Sequence, residues 1–212
     1  EMTMEERQRA EETLVQYLDQ CSGEVANSDF PRKRCEICFA SCCLYCENCF
    51  RIIADQKSLN HLRLPFQLDV ILDDHRTRAT GVHAKTLVAD GCRLFDYGEG
   101  EKLPDYSTVE GTFLLFPDAE SQPLSSVDAT SIKRLVVLDC RWTKSSVRFE
   151  PTLAALQKLH LDQVPSESQY WRWHNAGQGM LSTIEAIYYS AWQVATARSD
   201  WTDADREQMV QL

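Results

Sequence analysis

The chain has 212 residues, 43% of them hydrophobic and 25% charged, which is typical of a globular protein with one domain and short appendages. No apolar run approaches the roughly 20 residues that a membrane helix needs, and the charged start EMTMEERQRAEE does not resemble a secretory signal. The formal net charge of −10 argues against a protein that binds nucleic acid through its overall charge.

The acidic excess lies at the two ends of the chain. Residues 1–25 hold seven acids and two bases, and residues 199–212 hold four acids and one base. Residues 26–198 therefore hold 21 acids and 19 bases. This near balance leaves room for a local basic surface in the middle of the chain.

The first predicted element is a helix. Residues 3–20 have high helix propensity and a narrow apolar stripe of Leu14, Val15 and Leu18. We interpret residues 1–25 as a solvated N-terminal helix that packs by one edge. Its acidic surface could contact a protein partner.

A compact cysteine cluster, CEICFASCCLYCENC, follows at residues 35–49. It contains two Cys-x-x-Cys pairs, and two such pairs complete a tetrahedral four-thiolate site, which is closed and therefore structural. We predict one zinc ion in a module that spans residues 30–58. An iron–sulfur cluster and metal-free thiols or disulfides are the alternatives, and Cys42 or Cys43 could replace a ligand. The predicted ligands are Cys35, Cys38, Cys46 and Cys49.

The nine cysteines also bear on the compartment. Without a secretory signal, so many cysteines indicate a reducing intracellular compartment, where such clusters bind metal more often than they form disulfides. We expect the nucleus or the cytoplasm, with an organelle as the alternative.

Residues 60–198 read as an α/β domain, followed by an acidic tail at 199–212. Continuous apolar runs at 67–72, 112–116 and 134–138 are typical of strands buried on both faces of a mostly parallel sheet. TLVA and RLF are shorter strand candidates. Helical spacing predicts flanking helices over 152–160 and 181–198, and the second begins with a capping box of Ser182 and Glu185.

Two of the buried strands end on unusual residues. One run continues as Phe116-Pro117-Asp118, and the other as Asp139-Cys140-Arg141-Trp142. Ligands of open α/β sheets bind beyond the carboxyl ends of the strands, so these ends predict a binding site. The alternative is that Asp139 caps the following helix and Trp142 packs in the core.

With these segments in order, the chain resembles the DTW-domain proteins over about residues 35–195. The resemblance is carried by LLFPDAES, LVVLDCRWTKSS and LSTIEAIYY behind the cysteine module. LPFQLDVIL, ATGVHAK and WRWH point further to the branch of DTW domain-containing protein 1. The resemblance implies a SPOUT-like fold with a knotted C-terminal half, which is an exception to the usual absence of knots. It also implies a tRNA-uridine aminocarboxypropyltransferase, which moves the 3-amino-3-carboxypropyl group of S-adenosylmethionine to N3 of a tRNA uridine.

The resemblance carries over to single residues. Asp139 and Trp142 match the ends of the family motif Asp-x-Thr-Trp, whereas Arg141 stands at its Thr and Lys144 stands where the family has Gln or a similar residue. The family's His-Pro-x-Glu segment is not clearly kept around His75. Further matches to family motifs are Thr80, Gly81, Ser182, Thr183 and Glu185.

The chemistry of this reaction suggests roles for these residue types. Asp139 is the candidate general base for the uridine N3 proton, and Trp142 offers a ring face to the donor. The helix start at Ser182 and Thr183 suits the donor's carboxylate, although a capping box alone also explains it. The expected adenine wall is Leu115, Phe116 and Pro117.

Basic and aromatic residues are candidates for tRNA contacts. We expect the bases of 75–85 and of 141–144 to form a small positive patch beside Asp139. Aromatic residues of YWRWH, namely Tyr170, Trp171 and Trp173, could stack on a base or pack in the core. The candidate RNA-binding residues are Arg76, Arg78, Lys85, Arg141 and Lys144, with His75 and His83 in the same stretch.

Two other functions stay open. One is an S-adenosylmethionine-dependent RNA methyltransferase on a similar knotted scaffold. The other is a non-catalytic, zinc-containing RNA-binding or assembly factor, which the departure at Arg141 permits.

Overall fold

The structure is a computed structural model that describes residues 32–53, 62–76, 78–88, 90–141, 150–165, 168, 170, 180–202 and 204–205. The predicted N-terminal helix at 1–25 lies outside these residues. Within the described ranges, no helix is long and apolar enough to cross a membrane.

The cysteine module consists of two small antiparallel hairpins. The first joins β1 (Lys33–Arg34) to β2 (Ser41–Cys42), and the second joins β3 (Tyr45–Cys46) to β4 (Arg51–Ile52). We call residues 32–42 the first knuckle and residues 44–53 the second knuckle. Each knuckle holds one Cys-x-x-Cys pair.

The main domain is built on a six-stranded sheet in the order β6-β5-β9-β7-β10-β8, and every pairing in it is parallel. This confirms the mixed α/β class and the parallel sheet. Its strands are β5 (Gln67–Leu72), β6 (Cys92–Phe95), β7 (Thr112–Leu115), β8 (Gln122–Pro123), β9 (Arg134–Asp139) and β10 (Gln157–His160).

In the described part of the chain, three α-helices accompany the sheet: α1 (Val82–Leu87), α2 (Pro151–Ala154) and α3 (Thr183–Ala197). Apolar residues of α1 and α3 join one cluster with alternate residues of β5 and β9. Leu153 of α2 joins a second cluster with the other residues of these strands, such as Val136. The central strands are thus buried on both faces, which explains their continuous apolar runs.

Two local predictions are wrong. The predicted helix over 152–160 stops after one turn, and residues 157–160 form β10, because Leu159 is fully buried between β7 and β8. The predicted strand TLVA falls within and just after α1, whose Ala84 and Thr86 are buried against the domain. In both segments tertiary packing overrides a short local pattern.

A buried carboxylate ties the sheet together on one face. Asp69 of β5 has no exposed surface, and it accepts hydrogen bonds from the guanidinium groups of Arg93 at 2.6 and 2.8 Å and of Arg134 at 2.7 Å. The hydroxyl of Tyr106 donates a further bond at 2.9 Å. The two arginines come from the strands on either side of β5, so a slipped register would leave a buried charge unpaired.

Candidate functional site

Asp139 lies at the carboxyl edge of the sheet, by which we mean the edge where the parallel strands end. It is the last residue of β9 and pairs with Leu72, the last residue of β5. Its side chain is not solvated, since only 7% of the residue is exposed. One carboxylate oxygen accepts a 2.5 Å hydrogen bond from the amide of Gly81, directly before α1. The strand therefore delivers its carboxylate to a segment from an earlier part of the chain.

Gly81 is required for this approach. A Cβ at this position would lie 2.6 Å from Cγ1 of Val70 and 2.9 Å from the Asp139 carboxylate. The same hypothetical Cβ would lie 3.3 Å from the methyl group of Thr183 at the start of α3. Next to Gly81, the hydroxyl of Thr80 accepts a hydrogen bond from the amide of Ile184 at 3.2 Å. Three distant segments thus meet around one carboxylate.

Burial raises the pKa of Asp139 from its usual value of 3.8 to about 6. Hydrogen bonds from Gly81, from the Thr183 side chain and from the backbone of Thr80 oppose this rise, and the nearby charge of Asp74 adds to it. The result is a carboxylate that takes up a proton near neutral pH. This is the property expected of a general base that works in a cell.

The start of α3 has the predicted capping box. Ser182 accepts a hydrogen bond from the amide of Glu185, and the carboxylate of Glu185 accepts from the amide of Ser182 at 2.7 Å. Glu185 also accepts from the hydroxyl of Ser168 and the amide of Tyr170. Ser182 and Glu185 are therefore committed to holding the helix start, whereas Thr183 contacts the Asp139 carboxylate.

The predicted adenine wall follows the neighbouring strand. Leu115 ends β7 and pairs with Val137 of β9, so the residues after these two meet at the carboxyl edge. Leu115 is buried, Phe116 is half-buried against the second apolar cluster, and Pro117 is exposed. Leu115, Phe116 and Pro117 are thus brought to the same edge as Asp139.

Only some of the predicted basic residues come together, and carboxylates lie next to them. The Asp74 carboxylate lies 3.0 Å from Arg141 and 3.9 Å from Arg78, and the Arg141 hydrogen bond lowers the pKa of Asp74. Arg76 pairs with Asp96 at 2.5 Å. The predicted small positive patch therefore also contains two carboxylates, which offset part of its charge.

Several predicted contacts do not fall at this edge or cannot be placed there. The ammonium group of Lys85 donates to the carbonyl of Cys92, the first residue of β6, at 2.6 Å. It therefore points toward the amino ends of the strands, away from Asp139. The remaining candidates, Trp142, Lys144, Trp171 and Trp173, lie outside the described residues.

His83 links the cysteine module to the site. Nδ1 of its ring makes a short hydrogen bond with the hydroxyl of Tyr45 in the second knuckle, and Nε2 lies 3.1 Å from the hydroxyl of Tyr170. His83 stands two residues after Gly81, whose amide binds Asp139. The module is thus attached directly beside the carboxyl edge.

The four cysteines predicted as ligands do come together. Their sulfur atoms all lie within 4.8 Å of one another. Two sulfurs of a tetrahedral site, each about 2.3 Å from one zinc ion, lie about 3.8 Å apart, so a cluster of this size needs only a small contraction to hold a single ion. Cys42 donates from its sulfur to the Ala40 carbonyl at 3.4 Å and is not part of the cluster.

The ionisation of these thiols also fits a cation. Hydrogen bonds from the amides of Cys38 and Ile37 lower the pKa of Cys35 to about 6. In contrast, the hydrogen bond with Cys38 is the main cause that raises the pKa of Cys49 to about 12. Four thiols this close cannot all ionise alone, whereas a divalent cation would stabilise four thiolates together.

Two features that the motif analysis did not predict are visible in the sequence: a pair of acids after β5 and a repeated pattern in the cysteine module. Asp73 and Asp74 directly follow the buried run QLDVIL, just as Asp139 ends RLVVLD. In the structure the amide of Asp73 donates to the carbonyl of Asp139 at 3.0 Å, and burial raises the pKa of Asp73. The module contains the second signal, since each Cys-x-x-Cys pair belongs to a repeated Cys-Glu-x-Cys-Phe pattern.

These features define a parallel α/β protein with a buried carboxylate at the strand ends and a four-cysteine module beside it. Comparison with known families assigns it further: residues 32–207 match the DTW domain. The chain therefore belongs to the DTW-domain family, which is associated with tRNA modification. No match was found among curated proteins or among solved structures.

Proposed function

We propose that the protein is a tRNA-uridine aminocarboxypropyltransferase with S-adenosylmethionine as its donor, of the DTW domain-containing protein 1 branch. The observation that carries this proposal is the Asp139 carboxylate. It lies buried at the carboxyl edge, held by Gly81, and its pKa is raised to about 6. A base of this kind suits the abstraction of a weakly acidic N–H proton. The membership in the DTW family supports tRNA as the acceptor.

In the proposed reaction, Asp139 takes the proton of uridine N3 as that nitrogen attacks the Cγ of the donor's methionine chain. The N3–Cγ bond forms, the bond from Cγ to the sulfonium sulfur breaks, and 5′-methylthioadenosine leaves with the electron pair on sulfur. The positive charge on the donor is lost in this step. A nearby carboxylate such as Asp139 would also stabilise the sulfonium before transfer.

The donor would lie along the carboxyl edge between β7 and β9. Leu115, Phe116 and Pro117 follow one strand there and form the proposed adenine wall. Thr183 is a better candidate for a donor contact than Ser182, because the capping box already uses the amide and hydroxyl of Ser182. Trp142, three residues after Asp139 in the chain, is the proposed ring face for the donor.

The fold and the metal complete the proposal. We expect a SPOUT-like arrangement with a knotted C-terminal half, which the membership in the DTW family suggests. We expect zinc in the four-cysteine site, where Cys35, Cys38, Cys46 and Cys49 would hold it in a structural role. This ion would stabilise the two knuckles and take no part in the transfer.

Arginine residues beside the site would contact tRNA phosphates. Arg78 and Arg141 have exposed side chains and form ion pairs with Asp74, and Arg76 forms an ion pair with Asp96. Since each carboxylate offsets a cation, we expect weak phosphate binding with a modest salt dependence. Lys85 is left out of the proposed contacts because of its bond to Cys92.

Mass spectrometry of nucleosides tests this function. Unmodified tRNA is incubated with S-adenosylmethionine and purified protein, digested to nucleosides and compared with a sample that contains the Asp139→Asn variant. We expect a uridine that gains the aminocarboxypropyl group, together with one equivalent of methylthioadenosine. A methylated nucleoside with S-adenosylhomocysteine would instead identify a methyltransferase, and donor binding without product would refute an active transferase.

A further inference from the structure

The two knuckles of the cysteine module share one sequence pattern but differ in where their aromatic side chains lie. Residues 35–39 read CEICF and residues 46–50 read CENCF. Phe39 and Phe50, the last residue of each, both have positive φ, at 60° and 52°. This region of backbone space favours glycine, so a phenylalanine at both positions calls for a reason.

The structure supplies a reason for Phe50. Its ring packs against the apolar core of the main domain, and the guanidinium group of Arg76 lies 5.7 Å from the ring centre. Phe50 therefore helps to attach the second knuckle to the loop after β5. It acts as a structural anchor.

Phe39 has no such structural role within the described part of the chain. It is 69% exposed, and Ile37 in the same turn is 60% exposed. These are the two most exposed large hydrophobic side chains of the described residues. The first knuckle thus presents two large apolar side chains to solvent.

The first knuckle also carries three cations. Arg32, Lys33 and Arg34 precede the turn, and the guanidinium group of Arg32 donates to the Ser41 side chain at 3.2 Å across the hairpin. The only acid among residues 32–42 is Glu36, which lies 3.8 Å from Arg51 of the second knuckle. An exposed aromatic ring in a short segment with an excess of cations has the chemistry that binds single-stranded nucleic acid, in which bases stack and phosphates pair with cations.

The position of the first knuckle fits the same partner as the site. Tyr45 of the second knuckle bonds His83, two residues from Gly81, and Phe50 lies beside Arg76. The sulfurs of both knuckles lie within 4.8 Å of one another, which fixes the first knuckle relative to the second. The first knuckle is therefore joined through the sulfur cluster to the second knuckle, which contacts the main domain beside the carboxyl edge.

We propose that the first knuckle is an RNA-binding surface, on which Phe39 and Ile37 contact an unstacked base and Arg32, Lys33 and Arg34 contact the adjoining phosphates. This inference rests on the proposed function, since it takes tRNA as the ligand. It also explains how a protein of net charge −10, whose arginines beside Asp139 are largely paired with Asp74 and Asp96, can bind tRNA. The binding comes from a second, separate group of cations.

Substitution of Phe39 by glycine tests the surface with little cost to the backbone, because glycine tolerates positive φ. Fluorescence anisotropy with labelled tRNA measures affinity, and metal content and donor binding are measured on the same samples. We expect Phe39→Gly to weaken tRNA binding about five- to 100-fold, which is the range for loss of one base–aromatic stack. Metal content and donor affinity should not change.

Two variants serve as controls. Phe39→Trp keeps a stacking ring and should bind tRNA within about threefold of the wild type. Val109→Ala removes another exposed hydrophobic side chain, 40% exposed, in the loop before β7 at the opposite edge of the sheet, and it should have no effect. Normal tRNA affinity of a metal-loaded Phe39→Gly protein would overturn the inference, and so would an equal loss in Val109→Ala.

Photo-crosslinking identifies the occupant even where a substitution disturbs the metal site. With p-benzoylphenylalanine in place of Phe39, irradiation of the full chain with tRNA should join this residue to the RNA. A crosslink to residues 1–31 of the same chain, or to a second copy, would overturn the inference. If the wild type forms the expected nucleoside but residue 39 neither affects tRNA affinity nor crosslinks to tRNA, this inference fails and the proposed function stands. If residue 39 crosslinks to tRNA but no modified nucleoside forms, the proposed function fails and this inference stands.

Discussion

The substitution Asp139→Asn separates the catalytic role of this carboxylate from a structural one. The folded protein holds the carboxyl group with a pKa of about 6, whereas the unfolded chain has the usual value of 3.8. Between these values the folded state binds a proton that the unfolded state has lost. Stability therefore falls as the pH rises through this window, and the full cost of burying the charge is present above pH 6.

The size of this cost follows from the shift. A difference of about two pKa units corresponds to about 3 kcal/mol of unfolding free energy. Asparagine has nearly the same shape and carries no charge, so the variant avoids this cost at every pH. We expect Asp139→Asn to gain stability relative to the wild type as the pH rises from 4 to 8, by about 2–3 kcal/mol.

Urea unfolding of both proteins at pH 4, 6 and 8 measures this change. The comparison across pH cancels any constant packing effect of the new amide group. Asp118→Asn is the matched control with the opposite sign, because the hydrogen bond from Lys158 lowers the pKa of Asp118. Its wild-type carboxylate should stabilise the protein at neutral pH, and this benefit should disappear in acid.

Kinetics complete the test. Without the proposed base, the Asp139→Asn protein should lose on the order of 10²-fold or more in turnover, while donor affinity stays within about tenfold. In the wild type, kcat/KM should rise with pH to a plateau above about pH 6 as Asp139 ionises. Wild-type turnover in the variant would show that the carboxylate only holds Gly81 in place. A stability difference that does not vary with pH would refute the argument from burial.

Three further outcomes are expected. Gly81→Ala should lose about 1–3 kcal/mol of stability in calorimetry and bind the donor more weakly, because its Cβ would lie 2.6 Å from Val70. The control Gly98→Ala should show little change, since the nearest atom to its Cβ would be 3.4 Å away. Elemental analysis should find one zinc ion per chain in the wild type and in Cys42→Ser, but none in Cys46→Ser. Zinc that is lost in Cys42→Ser and kept in Cys46→Ser would reject the proposed set of ligands. Arg141→Thr, which restores the family's residue, should change stability by less than about 1 kcal/mol in thermal unfolding, because the ion pair with Asp74 is exposed; a larger loss would mean that this pair is essential to the carboxyl edge.

Sequence patterns predicted the parts of the fold that local chemistry determines. The runs at 67–72 and 134–138 became β5 and β9 because strands buried on both faces are apolar throughout. The capping box at Ser182 marked the start of α3 within one residue. The spacing of the cysteines predicted their cluster, since a Cys-x-x-Cys turn can present both sulfurs to one ion.

Long-range packing decided what these patterns could not. Gln157 to His160 lie in a segment with helical spacing, yet they form a strand because β7 and β8 offer a gap that Leu159 fills. In the same way, no local pattern revealed that Asp74 neutralises Arg141, because 67 residues separate the two. The prediction of a positive patch did not include this carboxylate for that reason.

The contacts that build the carboxyl edge join positions that are far apart in the chain. The Gly81–Asp139 bond spans 58 residues, and the bond between Thr80 and Ile184 spans 104. Closing such long loops costs entropy before any contact repays it, so topologies of this kind fold slowly. During synthesis, the Thr80–Ile184 bond can form only after the α3 segment has left the ribosome. The complete carboxyl edge is therefore among the last features to form, and a chain truncated before residue 180 should not acquire it.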